Sequence, residues 1–235
     1  MPVSRKSEAP KNGHPPPVCT TPGTAPRHYP RRVVLFKVMT DQSGSMSPWR
    51  LKQGTFVPGL TAALREAGGP RVDELVYANF VVVSGEVTAS GFSQLKYATD
   101  PPYEPDGETP IGRALTVLAD SLDAFVTTEL VPNEVTVAGI KVALVTDLKP
   151  TGEPPDETEA GVERFLEVVT KYGAEVQLIG PSERDMNHAL AKRLDVKGLG
   201  VKYLDDADPT SVFKWTFDSL LSLSRKFSGS RRRKS

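Results

Sequence analysis

The side chains best suited to chemistry are oxygen donors gathered at three points of the sequence. Asp41-Gln42-Ser43-Gly44-Ser45 follows a run of apolar, β-branched residues. Glu108-Thr109-Pro110 opens an amphipathic segment, and Asp147 follows a second apolar run that ends Leu144-Val145-Thr146. Asp41, Ser43, Ser45, Thr109 and Asp147 together supply two carboxylates and three hydroxyls, with no His or Cys among them. Hard oxygen donors select Mg²⁺, Mn²⁺ or Ca²⁺ over zinc or copper. Two carboxylates with neutral hydroxyls are too few strong ligands to enclose an ion. A Mg²⁺ held here would keep waters and an open position for an outside oxygen. Each piece also has a purely local reading. Asp41 and Ser43 are favoured helix N-caps, Thr109-Pro110 is a good cap with a first-turn proline, and Asp147 before a Pro-rich loop is a turn former.

The elements that must position these groups alternate along the chain. Val33 to Met39 is nearly continuous in apolar residues, as a central parallel strand requires. A helix is expected from Trp49 to Ala67, ending at Gly68-Gly69-Pro70. Glu74 to Val83 reads as a strand, turned by Gly85 into a short antiparallel partner over Glu86 to Ala89. A loop from Thr99 to Gly107 precedes a helix from Pro110 to Val126, with Ile111, Leu115, Leu118 and Leu122 on one face. Gly139 to Thr146 is a buried strand, Thr158 to Tyr172 a helix, and Ala174 to Ile179 another strand. A short helix over Glu183 to Leu194, a strand at Leu199 to Leu204 and a helix from Pro209 to Phe227 complete the set. The pattern predicts an α/β fold: a doubly wound, mostly parallel, Rossmann-like sheet with helices on both faces and one short antiparallel edge strand. In such sheets ligands gather beyond the C-terminal strand ends, where the three donor groups fall.

Composition sets further bounds. The chain has 235 residues and no net formal charge. Yet residues 1–32 carry a net of +5 and residues 225–235 a net of +6, which leaves about −11 for the body. An acidic body does not fit a folded nucleic-acid reader, whose basic footprint would cover the domain face. The basic tails are suited only to nonspecific anionic contacts. Residues 1–31 are proline-rich and poor in large apolar groups, so they are expected to be a disordered tail. The domain is expected over 32–227, with a basic tail over 228–235. Cys19 is the one cysteine, so neither a disulfide framework nor a thiolate metal site can be built. No apolar run suits a signal peptide or a membrane span, and the expected compartment is the cytoplasm.

The three donor groups resemble a known set. Asp41-Gln42-Ser43-Gly44-Ser45-Met46-Ser47 is similar to the Asp-x-Ser-x-Ser signature of the metal-ion-dependent adhesion site (MIDAS) of von Willebrand factor A (VWA) domains. Gly107 to Gly112 resembles that family's threonine loop, and Val145 to Thr151 its aspartate loop. The pieces stand in the family's order and roughly its spacing, and the resemblance covers residues 32–227. It implies hydroxyl ligands from Ser43, Ser45 and Thr109, with Asp41 and Asp147 acting directly or through water. The last position would accept a partner's Asp or Glu carboxylate. Leu148 stands where the family usually has glycine. Phe213-Lys214-Trp215 and Ser219 to Ser224 are similar to bacterial TerY-like proteins, which are intracellular and associated with tellurite resistance and stress response.

The expected function is therefore a metal-dependent protein–protein interaction module, not an enzyme. The competing reading is a hydrolase. Ser43 or Ser45 would be an esterase-like nucleophile at a strand-to-helix turn, with Asp185-Met186-Asn187-His188 offering an Asp-x-x-His pair. A one-metal phosphatase built on Asp41 and Asp147 is the other enzymatic form. No Gly-x-Ser-x-Gly and no P-loop sequence is present.

Overall fold

The computed structural model describes residues 29–49, 61–62, 75–101, 103 and 107–204. Its centre is strand β1 (Arg32–Asp41), buried from Val33 onward. A strand with neighbours on both edges and apolar layers on both faces has no solvent side, which is why its sequence does not alternate. β1 runs parallel to β2 (Val76–Ser84) on one side and to β5 (Thr136–Val145) on the other. β6 (Glu175–Gly180) and β7 (Val201–Tyr203) continue the parallel sheet outward from β5. The order is β3-β2-β1-β5-β6-β7, with β3 (Glu86–Ala89) at the edge beyond β2.

One antiparallel edge strand is expected from the sequence; the described residues contain two. β3 (Glu86–Ala89) pairs with the end of β2, and β4 (Ser93–Gln94) returns to pair with its beginning at Tyr77 and Ala78. Two residues, Ser-Gln, carry no apolar alternation, so β4 leaves no signal in the sequence.

Helices α1 (Ile111–Ala124), α2 (Pro155–Lys171) and α3 (His188–Leu194) bury their apolar stripes against one face of the sheet, where Leu35, Met39, Val81, Val142 and Leu178 point. Phe36, Val38, Phe80, Val145 and Ile179 form a second cluster on the opposite face. The helices expected over Trp49–Ala67 and Pro209–Phe227 lie outside the described residues, apart from a 3₁₀ turn at Gly44–Trp49 and the helical pair Thr61–Ala62. The C-terminal tail and residues 1–28 lie outside them too. Tyr29, within the expected tail, is buried: its ring packs near Tyr77 and Phe125 and its hydroxyl donates to Glu129 at 2.7 Å.

Several boundaries differ from expectation for local reasons. α1 continues as a π-helical turn over Phe125–Leu130, where Thr127 and Thr128 hydroxyls bond back to the Asp123 and Ala124 carbonyls. α2 starts at Pro155 rather than Thr158, because a proline is well suited to the first helical turn and Asp156 and Glu157 favour its positive end. α3 starts only at His188, capped by Asn187. β7 is confined to Val201–Tyr203, since the Leu199 and Gly200 amides bond the Asp195 carboxylate instead of a strand. No helix among the described residues is long and apolar enough to cross a membrane.

Candidate metal centre

Asp41 is the last residue of β1 and is fully buried. Its Oδ1 accepts from the Ser43 amide at 3.0 Å, and its Oδ2 accepts from the Thr146 hydroxyl at 2.6 Å. The Asx-type turn this makes brings the Ser43 and Ser45 hydroxyls to 3.2 Å from each other. Ser43 is buried and Ser45 is exposed, so the pair leads from the interior to the surface. Burial pushes the Asp41 carboxyl up to about 6, against the hydrogen bonds from Ser43 and Thr146; the negative charge of Asp147 adds to the rise.

The Thr109 loop is fixed from three sides. The Gly44 amide donates to the Gly107 carbonyl at 3.0 Å, and the Gly85 amide to the Glu108 carbonyl at 3.0 Å. Gly107 has φ +77°, and a Cβ there would sit 2.7 Å from the Gly85 Cα, so only glycine fits. Thr109 and Thr151 are doubly tied: the Thr109 amide donates to Thr151 Oγ1 at 2.8 Å, and the Thr151 amide to the Thr109 carbonyl at 3.0 Å.

Thr109 is spaced like the N-cap of α1, but it does not cap it. The cap position falls on Pro110, with no side-chain cap bond. The Glu153 carboxylate reaches in from the loop before α2 and accepts from the Gly112 amide at 2.6 Å and the Arg113 amide at 3.2 Å. The orphan donors of the helix start are thereby satisfied, and the negative charge suits its positive end. Thr109 itself is buried, and the helix makes no demand on its hydroxyl.

Asp147 is buried just past the end of β5, and its Oδ1 accepts from the Lys149 amide at 3.0 Å. Leu148, in the place where the resemblance expects glycine, has φ +57° and is fully buried. The loop thus keeps the left-handed turn that glycine would take freely. Around it, the Leu148 amide donates to Thr146 Oγ1 at 2.9 Å, and Asn187 donates to both neighbouring carbonyls: its amide to Asp147 at 2.9 Å, its Nδ2 to Leu148 at 3.0 Å.

The structure therefore gathers the loops bearing Asp41, Ser43, Ser45, Thr109 and Asp147 at one end of the sheet, joined by backbone bonds. Asp41 and Asp147 leave adjacent strands, and the charge of Asp147 is felt at Asp41. The donors are oxygen only, and no group of three or more His, Cys, Asp or Glu side chains suited to a metal ion is found among the described residues. A site of two acids and three hydroxyls fits one hard divalent cation with exchangeable positions, and does not fit a soft metal or a protein-enclosed one.

Three contributors escape a reading of the sequence. Thr146 lies beside Asp147 and could be suspected from that adjacency; Asn187 carries only the signal of a helix cap; Glu153 meets α1 from 41 positions away, which no local pattern encodes. The Asp185-x-x-His188 pair does not form a linked dyad: Asp185 accepts from the Ser182 hydroxyl at 2.7 Å, and the His188 ring bonds the Glu183 carbonyl at 2.7 Å.

No family model and no curated protein matches the chain. Solved structures do. Proximal thread matrix protein 1 from the mussel byssus aligns with a TM-score of 0.56 at 17% identity, over 81% of this chain and 48% of that one. The von Willebrand factor type A protein from Catenulispora acidiphila aligns at 0.53 and 15% identity, over 80% and 42%. BatB from Bacteroides thetaiotaomicron aligns at 0.51 and 16% identity, over 82% and 99%. The chain spans less than half the length of the first two. At such identities the likeness is one of architecture, and the architecture is that of a von Willebrand factor A domain.

Proposed function

We propose that the chain is a metal-dependent protein-interaction module. One divalent cation, Mg²⁺ by preference and Mn²⁺ or Ca²⁺ by the same chemistry, is held by Ser43, Ser45 and Thr109 hydroxyls and by Asp41 and Asp147, directly or through water. When bound, the ion supplies a Lewis-acidic position for an outside oxygen, which a partner's Asp or Glu carboxylate fills. The observation that carries the reading is the pair of buried carboxylates on neighbouring strand ends, beside a buried Thr109 hydroxyl that the helix start does not use. Burying two acids side by side is costly, and a cation between them offsets that cost.

This chain's own groups do the rest. Thr146 and the Ser43 amide orient Asp41, Lys149 N–H orients Asp147, and Glu153 leaves Thr109 unengaged by the helix. One carboxylate contact gives strength but little choice of partner, so selectivity falls to the neighbouring segments Ser47-Pro48-Trp49 and Lys149 to Pro155; the stretch Pro101 to Asp106, expected to share in this, lies largely outside the described residues. The narrower reading, an intracellular TerY-like role in a bacterial stress response, rests on the resemblance of Phe213 to Ser224, which lie outside the described residues.

The test is capture from native lysate with and without EDTA, using wild type, Asp41→Ala and Ser45→Ala. The expected result is a protein retained by wild type in Mg²⁺ and lost in all other arms. Turnover of ester or phosphate substrates that survives Asp147→Ala would contradict the module reading.

A further inference from the structure

We infer that Asn187 is a positioning residue for the cation site, acting through the left-handed turn at Leu148; this rests on the metal reading above. Leu148 is a bulky residue at φ +57°, a conformation that L side chains rarely adopt and that needs outside support. The support is visible. Asn187 donates its backbone N–H to the Asp147 carbonyl and its Nδ2 to the Leu148 carbonyl, gripping the peptide on both sides of the strained residue. Its own Oδ1 accepts from the Leu190 amide at 3.2 Å, so the side chain is fixed by α3 while it holds the loop.

The held peptide in turn orients both carboxylates. With Leu148 in this turn, the Lys149 amide reaches Asp147 Oδ1 and the Leu148 amide reaches Thr146 Oγ1. The Thr146 hydroxyl, its lone pair so engaged, points its proton at Asp41 Oδ2. If Leu148 relaxed to an ordinary φ, the Lys149 amide would swing away from Asp147, and the loosened Asp147–Leu148 peptide would no longer hold its N–H on Thr146, so both acids would lose the groups that aim them. Glycine needs no such grip. Asn187 thus compensates, from outside the motif, for the leucine within it. Groups that orient metal ligands from behind typically change affinity about 10–100-fold when altered.

The test uses Asn187→Ser, which retains a good cap for α3 but cannot reach the Leu148 carbonyl. Mg²⁺ alone is titrated calorimetrically into chelated full-length protein: wild type, Asn187→Ser, and Asn187→Ser with Leu148→Gly. The expected result is a loss of about tenfold or more in Mg²⁺ affinity for the single variant and substantial recovery in the double variant, because glycine takes the turn unaided. Unchanged affinity in Asn187→Ser overturns the inference, as does absence of recovery in a folded double variant. Should the double variant not fold, amide exchange in metal-free Asn187→Ser decides. Faster exchange confined to Leu148 and Lys149, with the Thr146 amide unaltered as the sheet reference, supports the inference; unchanged exchange at those two overturns it. Wild type that takes up no Mg²⁺ overturns the metal reading and this inference with it, whereas wild-type uptake matched by Asn187→Ser overturns the inference alone.

Discussion

Asp41 and Asp147 leave neighbouring parallel strands one residue out of step: Thr40 pairs with Val145, so Asp41 lies level with Thr146 and Asp147 one position beyond. The offset lets Thr146 stand between the acids, donating to one while its backbone carries the other. Both are buried, and the charge of Asp147 makes that of Asp41 harder to hold. This arrangement sets function against stability.

Asp41→Asn should make that conflict measurable. The amide keeps the size of the side chain and removes a buried charge, so the chelated variant should melt at or above the wild-type temperature, by the equivalent of about 1–2 kcal/mol. Mg²⁺ should raise the wild-type melting temperature and leave the variant's unmoved, since binding stabilises only a state that binds. Thermal scans in EDTA and in Mg²⁺ read both. A variant markedly less stable in EDTA would mean that Asp41 is structural.

Glu153→Ala should cost about 1–2 kcal/mol in urea unfolding, the usual loss when helix-start donors lose their cap. It should also weaken Mg²⁺ binding, because the Thr109 hydroxyl then becomes the nearest replacement cap for α1. Glu153→Gln, whose one amide oxygen still accepts from Gly112 but leaves Arg113 without its acceptor, should recover part of both. Loss of stability with Mg²⁺ affinity intact would show that Thr109 is indifferent to the cap.

What was legible in the sequence follows from how each feature is encoded. β1, β5 and β6 announce themselves because a strand buried on both faces must be apolar throughout. α1 is legible because Ile111, Leu115, Leu118 and Leu122 keep the helical period against one core. Asp41, Ser43, Ser45 and Asp147 stand out as oxygen groups past strand ends, and Thr109 as one at a helix start. Their supports do not, because those contacts join residues far apart: Glu153 to Gly112, Asn187 to Leu148. Leu148 is the converse case. It stands in place of the glycine that would take the left-handed turn freely, and the turn is kept, held by hydrogen bonds and core packing that the sequence does not display. β4 and the π-turn after α1 depend on pairing and threonine back-bonding, which carry no periodic signature.

The backbones of α1 and α2 come into contact where two glycines, Gly112 and Gly161, meet. A Cβ on Gly161 would lie 2.0 Å from the Gly112 carbonyl oxygen and 2.5 Å from its Cα, both backbone atoms that cannot turn aside. Gly161→Ala gains about 1 kcal/mol of helix propensity. Overpacking a backbone contact costs about 3 kcal/mol, so the clash wins. A net loss of about 2 kcal/mol is expected in urea unfolding, while Glu163→Ala on the exposed side of the same helix should stay within about 0.5 kcal/mol. A Gly161→Ala variant as stable as wild type would show that the helices part without strain.

Lys37 lies in the middle of β1 with no exposed surface, its ammonium donating to Ser121 Oγ at 2.5 Å and sitting 4.8 Å from the centre of the Phe92 ring. Burial pulls its pKa from 10.5 down to about 7. The unfolded chain therefore holds more protons than the folded one between pH 7 and 10.5, and stability at this residue rises with pH through that window. Below pH 7 both states are protonated and the penalty is constant and full. Lys37→Met removes the charge and fills the same space; Ser121 keeps its bond to the Val117 carbonyl at 2.6 Å. The variant should be more stable at pH 7 by a few kcal/mol, on the order of the cost of a buried, weakly solvated charge. That advantage should shrink steadily as pH approaches 10. Urea midpoints for both proteins at intervals from pH 6 to 10 check the slope. An advantage that does not vary with pH would show that Lys37 stays protonated in the fold.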